Sequence, residues 1–138
     1  MIGFIITGHG HFATGISAAL ELIMGKQEYY VAVDFQEGDT KTEIEKNIHQ
    51  AIESLQTCDS ICIFCDLLSG SPFNTAILEA MNHENIEVLY GTNLGMLMES
   101  VMKRNMGYSF GQIVQEAIDT GKNGLGKFEV IEQEDDEW

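Results

Sequence analysis

Positive charge is scarce in this chain: seven lysines and arginines stand against twenty-two acidic residues, a formal net charge of −15. Such a surface repels nucleic-acid phosphates and anionic lipid. A macromolecular partner is therefore expected to be a protein with a basic docking face, not nucleic acid. A single proline and fourteen glycines in 138 residues exclude a fibrous or low-complexity chain. Nor is there an apolar run approaching the roughly 18 residues of a membrane span. The N-terminus lacks the basic region and long apolar segment of a signal peptide, so a soluble cytoplasmic protein is the expectation. No linker, repeat or low-complexity stretch divides the chain, and its length suits one domain with a real core.

Cysteine is also sparse. Three residues, an odd number, do not suggest a disulfide framework. Cys62 and Cys65 form a nominal CxxC within "SICIFCDL", but that run reads as a buried strand. At period two the thiols point to opposite faces, which favours core packing over metal chelation or redox pairing.

The remaining sequence alternates between two periodicities. Apolar runs at Ile2 to Thr7, Tyr29 to Phe35, Ser60 to Leu67 and Ile86 to Thr92 read as parallel strands covered on both faces. Between them, helical spacing places Phe12, Ile16, Leu20 and Ile23 on one face, then Ile44, Ile48, Ile52 and Leu55, then Phe73, Ile77, Ala80 and Met81. The second helix opens with a capping-box sequence, Thr40-Lys41-Thr42-Glu43. Two helical patterns follow the fourth strand: Leu94, Leu97, Met98, Val101 and Met102, then Phe110, Ile113, Val114 and Ala117. A glycine-rich stretch from Gly121 to Gly126 leads to a strand-like run at Lys127 to Ile131 and an acidic tail. The pattern predicts an α/β fold: a single three-layer domain, its sheet mostly parallel, with right-handed crossovers and helices on both faces.

In such sheets the site lies beyond the carboxyl ends of the strands, where strand order reverses. That nominates His9, Asp34, Asp66, Thr92 and Asn93. The segment "TGHGHFA" off the first strand fits a dinucleotide turn through Gly8, Gly10 and Ala13, with Asp34 about where a ribose-binding acid would stand. An imidazole at His9, however, would crowd a pyrophosphate. If the third strand lies beside the first, Asp66 meets His9, fixes its tautomer and leaves Nε2 as a nucleophile. "SGSPFN" then offers Ser71 as an N-cap, Pro72 in the first turn, and a helix N-terminus suited to a phosphate-like anion. His11 is a partly exposed loop residue or a helper in proton transfer or metal binding. His49 and His83 read as solvated, and no cluster has zinc-site spacing. No metal and no organic cofactor are expected.

The chain resembles the IIA components of the mannose-type sugar phosphotransferase system. The resemblance rests on "GHG" after strand one, "VDF" at strand two, "D…GSPFN" after strand three, "YGTNLGMLMES" around strand four and "SFGQIVQEAIDTGKNG" near the end. It implies a phosphoryl carrier in which His9 accepts the group at Nε2 from the histidine-containing phosphocarrier protein and passes it to the IIB component. Sugar is then phosphorylated as it crosses the IIC and IID membrane subunits, to which the protein would be peripheral. It further implies Asp66 as the orienting carboxylate, with Gly70 and Ser71 at the phosphoryl-holding helix end. A homodimer follows from the same resemblance, residues 1–126 forming the phosphocarrier domain and 127–138 a segment whose strand, Lys127 to Ile131, is exchanged and adds antiparallel to the partner's sheet.

Two positions depart from the family pattern: Gly8 stands where threonine is common, and Ser69-Gly70 where Gly-Gly is common. No IIB segment is recognisable, so the acceptor is expected to be a separate chain. Two other readings of the same loop are a nicotinamide-dependent oxidoreductase and a tetrapyrrole metal chelatase. A third keeps the family but makes the chain a regulatory phosphohistidine module.

Overall fold

The computed structural model describes residues 1–131. Among them, four strands and five helices alternate as β1 (Ile2–His9), α1 (Phe12–Met24), β2 (Tyr30–Phe35), α2 (Lys41–Ser54), β3 (Ser60–Cys65), α3 (Ser71–Asn82), β4 (Ile86–Leu89), α4 (Leu94–Asn105) and α5 (Phe110–Asn123). The strands form one parallel sheet in the order β2-β1-β3-β4. Strand β1 thus has β2 on one side and β3 on the other, so the connection leaving the carboxyl end of β1 runs to one side of the sheet and the one leaving β3 runs to the other.

Period-two alternation divides the core. Ile5, Val33, Ile61, Ile63 and Cys65 point toward α2 and α3, while Phe4, Ile6, Cys62 and Phe64 point toward α1, α4 and α5. The two thiols of the CxxC therefore lie on opposite faces of β3, both fully buried. Burial pushes the Cys65 thiol up to about 12. On the second face, Phe4 and Phe64 meet edge to face at 5.4 Å between ring centres.

Local sequence explains most helix ends. Thr40 caps α2 by accepting from the Glu43 amide at 3.3 Å. Its partner carboxylate bonds the Thr40 hydroxyl and not the Thr40 amide, so only half of the expected capping box forms. A full box closes α5, with Ser109 and Gln112 each accepting from the other's backbone amide. Helix α4 is capped by the Asn93 side chain, which accepts from the Met96 amide at 3.0 Å.

Several boundaries and facings differ from expectation. Strand β4 stops at Leu89, the residue opposite the penultimate position of β3, because the chain then turns through Gly91 and Thr92 bonds back to the Cys65 carbonyl. Ile23 and Met81 face solvent at 55% and 76% exposure, at helix ends where the sheet no longer lies beneath them. Helix α5 continues through Gly121, whose missing side chain admits Met96: a Cβ there would sit 3.2 Å from the Met96 sulfur. Among the described residues, Lys127 to Ile131 pairs with no strand. Phe128, Val130 and Ile131 are instead exposed, each by 72% or more.

Candidate functional site

The end of β1 lies at the point where strand order reverses, and of the residues expected there Asp66 meets His9. Asp66 is the first residue beyond β3. Its Oδ2 accepts from both the His9 backbone amide and His9 Nδ1, each at 2.9 Å, and its Oδ1 accepts from the Leu67 amide at 2.8 Å. The Asp66 amide still donates to the Thr7 carbonyl at 3.2 Å, whereas the Leu67 amide is bonded to the Asp66 side chain. Burial pushes the Asp66 carboxyl up, but the bonds from the His9 amide and ring, the ring's charge and the Leu67 amide together hold it below the ordinary carboxylate range. In the neutral ring, an Nδ1 proton donated to Asp66 leaves Nε2 with its lone pair.

The opposite ring edge lies against the start of α3. Gly70, at φ +93°, is the N-cap, and Cβ built on it would fall 2.6 Å from both Cε1 and Nε2 of His9. This corrects the expected cap. Ser71 is the first helical residue and not the N-cap, because the chain turns one residue earlier at a backbone conformation that only glycine adopts readily. No side chain caps α3, so its first-turn amides keep their open donors beside the imidazole. Pro72 lies in the first turn and is buried.

Gly8, one of the two departures from the family pattern, has a steric reason. A Cβ there would lie 2.8 Å from Asp66 Cγ and 2.7 Å from a Phe12 ring carbon, so the carboxylate's approach to His9 leaves no room for a side chain. Phe35, not singled out from the sequence, packs edge-on to the His9 ring at 6.2 Å between centres. Its carbonyl also accepts from the Gly10 amide at 2.7 Å. Parallel register pairing His9 with Phe35 is the signal that identifies it, and that register follows only once β2 is set beside β1.

His11 is 76% exposed and forms a second imidazole–carboxylate pair, Nδ1 to Asp34 Oδ2 at 3.3 Å. Asp34 also accepts from the Thr14 hydroxyl at 2.6 Å and the Thr14 amide at 3.0 Å. Both its oxygens are thus engaged at the start of α1, leaving the dinucleotide reading without its ribose-binding acid. Thr92 holds the β3–β4 turn together through the Cys65 carbonyl, and Asn93 caps α4; neither reaches toward His9 through these bonds. His49 and His83 lie apart from the site, pairing with Glu53 and Glu79 along α2 and α3.

The family model described as "PTS system fructose IIA component", EIIA-man, matches residues 3–118. The chain belongs to the mannose-family EIIA components of the phosphotransferase system. Among its relatives, the mannose-specific EIIAB component of Escherichia coli (strain K12) is 31% identical over 124 residues, or 90% of this chain. The chain spans 38% of that relative's length. The sorbose-specific EIIA component of Lacticaseibacillus casei is 30% identical, covering 73% of this chain and 72% of the relative. A crystal structure of phosphotransferase system component EIIA from Streptococcus agalactiae matches with a TM-score of 0.84 at 34% identity, covering 92% of this chain and 97% of that one. No helix among the described residues is long and apolar enough to cross a membrane.

Proposed function

We propose that this EIIA protein is a phosphocarrier whose His9 takes a phosphoryl group at Nε2 from the histidine-containing phosphocarrier protein and hands it to an EIIB component serving a sugar transporter. The observation that carries this reading is the placement of His9 between Asp66 at Nδ1 and Gly70 at Nε2. Attack by the Nε2 lone pair forms one P–N bond as the donor's P–N bond breaks in line, and the donor nitrogen regains its electron pair. No proton need move, because the Nδ1 proton stays shared with Asp66, which balances the positive charge that develops on the ring. The first-turn amides of α3 and the Ser71 hydroxyl hold the phosphoryl oxygens. Transfer onward reverses the same step.

Incubation with phosphoenolpyruvate, enzyme I and the phosphocarrier protein tests this. The expected product is an acid-labile, base-stable phosphate on His9, lost in His9→Ala. Phosphoryl uptake by His9→Ala would overturn the assignment.

Residues 1–126 form the phosphocarrier domain in this reading, and the strand-like run Lys127 to Ile131 exchanges between two copies in the cytoplasm; the rest of the expected segment, 132–138, lies outside the described residues. Two features support exchange. Lys127 to Ile131 is exposed and pairs with no strand among the described residues, and an apolar cavity of about 520 Å³ lies beside the β4 end, lined by Leu89, Tyr90, Met96, Ile118 and Leu125 among others. A β-strand from a second copy would cover both the edge and the apolar residues.

A further inference from the structure

Asp34 is an acidic residue at the active end of the sheet to which the proposed transfer gives no task. Its side chain is only 6% exposed. Three donors from the first turn of α1 and its N-cap converge on it: the Thr14 hydroxyl, the Thr14 amide and His11 Nδ1. A buried carboxylate bonded in this way ties the start of α1 to β2. The next residue of β2 extends the tie, since Phe35 holds the Gly10 amide through its carbonyl and flanks the His9 ring. The turn His9-Gly10-His11 is thus strung between Asp66 on the β3 side and Asp34 with Phe35 on the β2 side. Gly10, at φ +60°, supplies no stiffness of its own.

We infer that Asp34 is a positioning residue for phosphoryl transfer: by pinning His11 and Thr14 it fixes the turn that presents His9 to Asp66 and to the start of α3. This inference rests on the proposed role of His9. Asp34 makes no bond to the His9 ring and its side chain is only 6% exposed, so its loss is expected to act on the transfer step and not on docking. Misplacing a reacting group by about 1 Å costs on the order of 100-fold in rate.

The test compares wild type, Asp34→Ala and Asp34→Asn in phosphorylation by phosphoenolpyruvate, enzyme I and varied phosphocarrier protein. A parallel measurement records ¹⁵N NMR of the His9 ring in the unphosphorylated proteins. Asp34→Ala is expected to lower kcat by about tenfold to a hundredfold. Its KM for the phosphocarrier should stay near wild type, and the His9 signals should shift from the Nδ1–H tautomer toward a mixture. Asp34→Asn, which still accepts from the Thr14 amide, should recover part of the loss. If Asp34→Ala does not fold, Thr14→Val removes the hydroxyl donor alone and is read in the same way. An unchanged kcat, or a raised KM at unchanged kcat, overturns the inference. Should wild type accept no phosphoryl group, the proposed function fails, and the tautomer shift alone decides whether Asp34 positions His9.

Discussion

Gly70 and His9 are in van der Waals contact through the one edge of Gly70 that a side chain would occupy. A Cβ there would meet both Nε2 and Cε1 at 2.6 Å. Gly70→Ala is therefore expected to push the imidazole off the start of α3 while straining a backbone at φ +93°. The strain costs about 1–3 kcal/mol. Chemical denaturation should register that loss, and phosphorylation should fall much further than stability does. Near-wild-type transfer in Gly70→Ala would mean that the nitrogen works in another orientation.

Asp66→Asn keeps the size of the side chain and removes its charge. An amide oxygen can still accept from Nδ1, but it no longer stabilises the ring's developing positive charge. Transfer from the phosphocarrier should slow by on the order of 100-fold or more, while circular dichroism remains that of the folded protein.

Acid should weaken the fold through the same two carboxylates. Asp34 and Asp66 both titrate below their ordinary value of 3.8 in the folded protein: burial opposes this, and the bonds from Thr14 and His9 outweigh it. A folded value below the unfolded one contributes stability that is present above the unfolded value and is lost as pH falls through the folded one. The stability difference between wild type and Asp34→Asn should accordingly be flat near neutrality and shrink as pH drops below 3.8. Urea titrations from neutral pH downward measure it; a difference that grows on acidification would contradict the sign.

Lys103 joins α4 to α5. It is 8% exposed, lies 2.6 Å from Glu99 and 2.8 Å from Glu116, and its ammonium is held above its usual range chiefly by those bonds, that to Glu116 first. Lys103→Met leaves the two carboxylates without their shared cation. Tm should fall, and adding Glu99→Gln and Glu116→Gln should restore part of it. Strict additivity of the three changes would show that the network is not cooperative.

Removal of residues 127–138 should convert a dimer to a monomer if the C-terminal segment is exchanged. Light scattering across a dilution series reads this directly. A truncated chain that keeps twice the mass of one copy would place the interface elsewhere.

Much of the site could be read from residue types because it depends on strand ends. Apolar runs located β1 and β3, and the reversal of order at β1 makes His9 and Asp66 neighbours. Residue types fall short where one torsion or one neighbour decides. Whether Ser71 or Gly70 caps α3 depends on a single positive φ that the letters "SGSP" do not reveal. Ile23 and Met81 fit their helical stripes, yet the stripe outlasts the sheet it covers. Asp34 had the right spacing for a ribose; only the Thr14 hydroxyl and amide, brought to it by the α1–β2 packing, show that its oxygens are occupied.

The His9–Asp66 bond spans 57 residues of chain and crosses from β1 to β3. A folding intermediate consisting of β1, α1 and β2 would contain the imidazole without its carboxylate and without the α3 amides. If His9 carries phosphate as proposed, that competence arrives only with the third strand, and an incompletely folded chain would divert no phosphoryl groups.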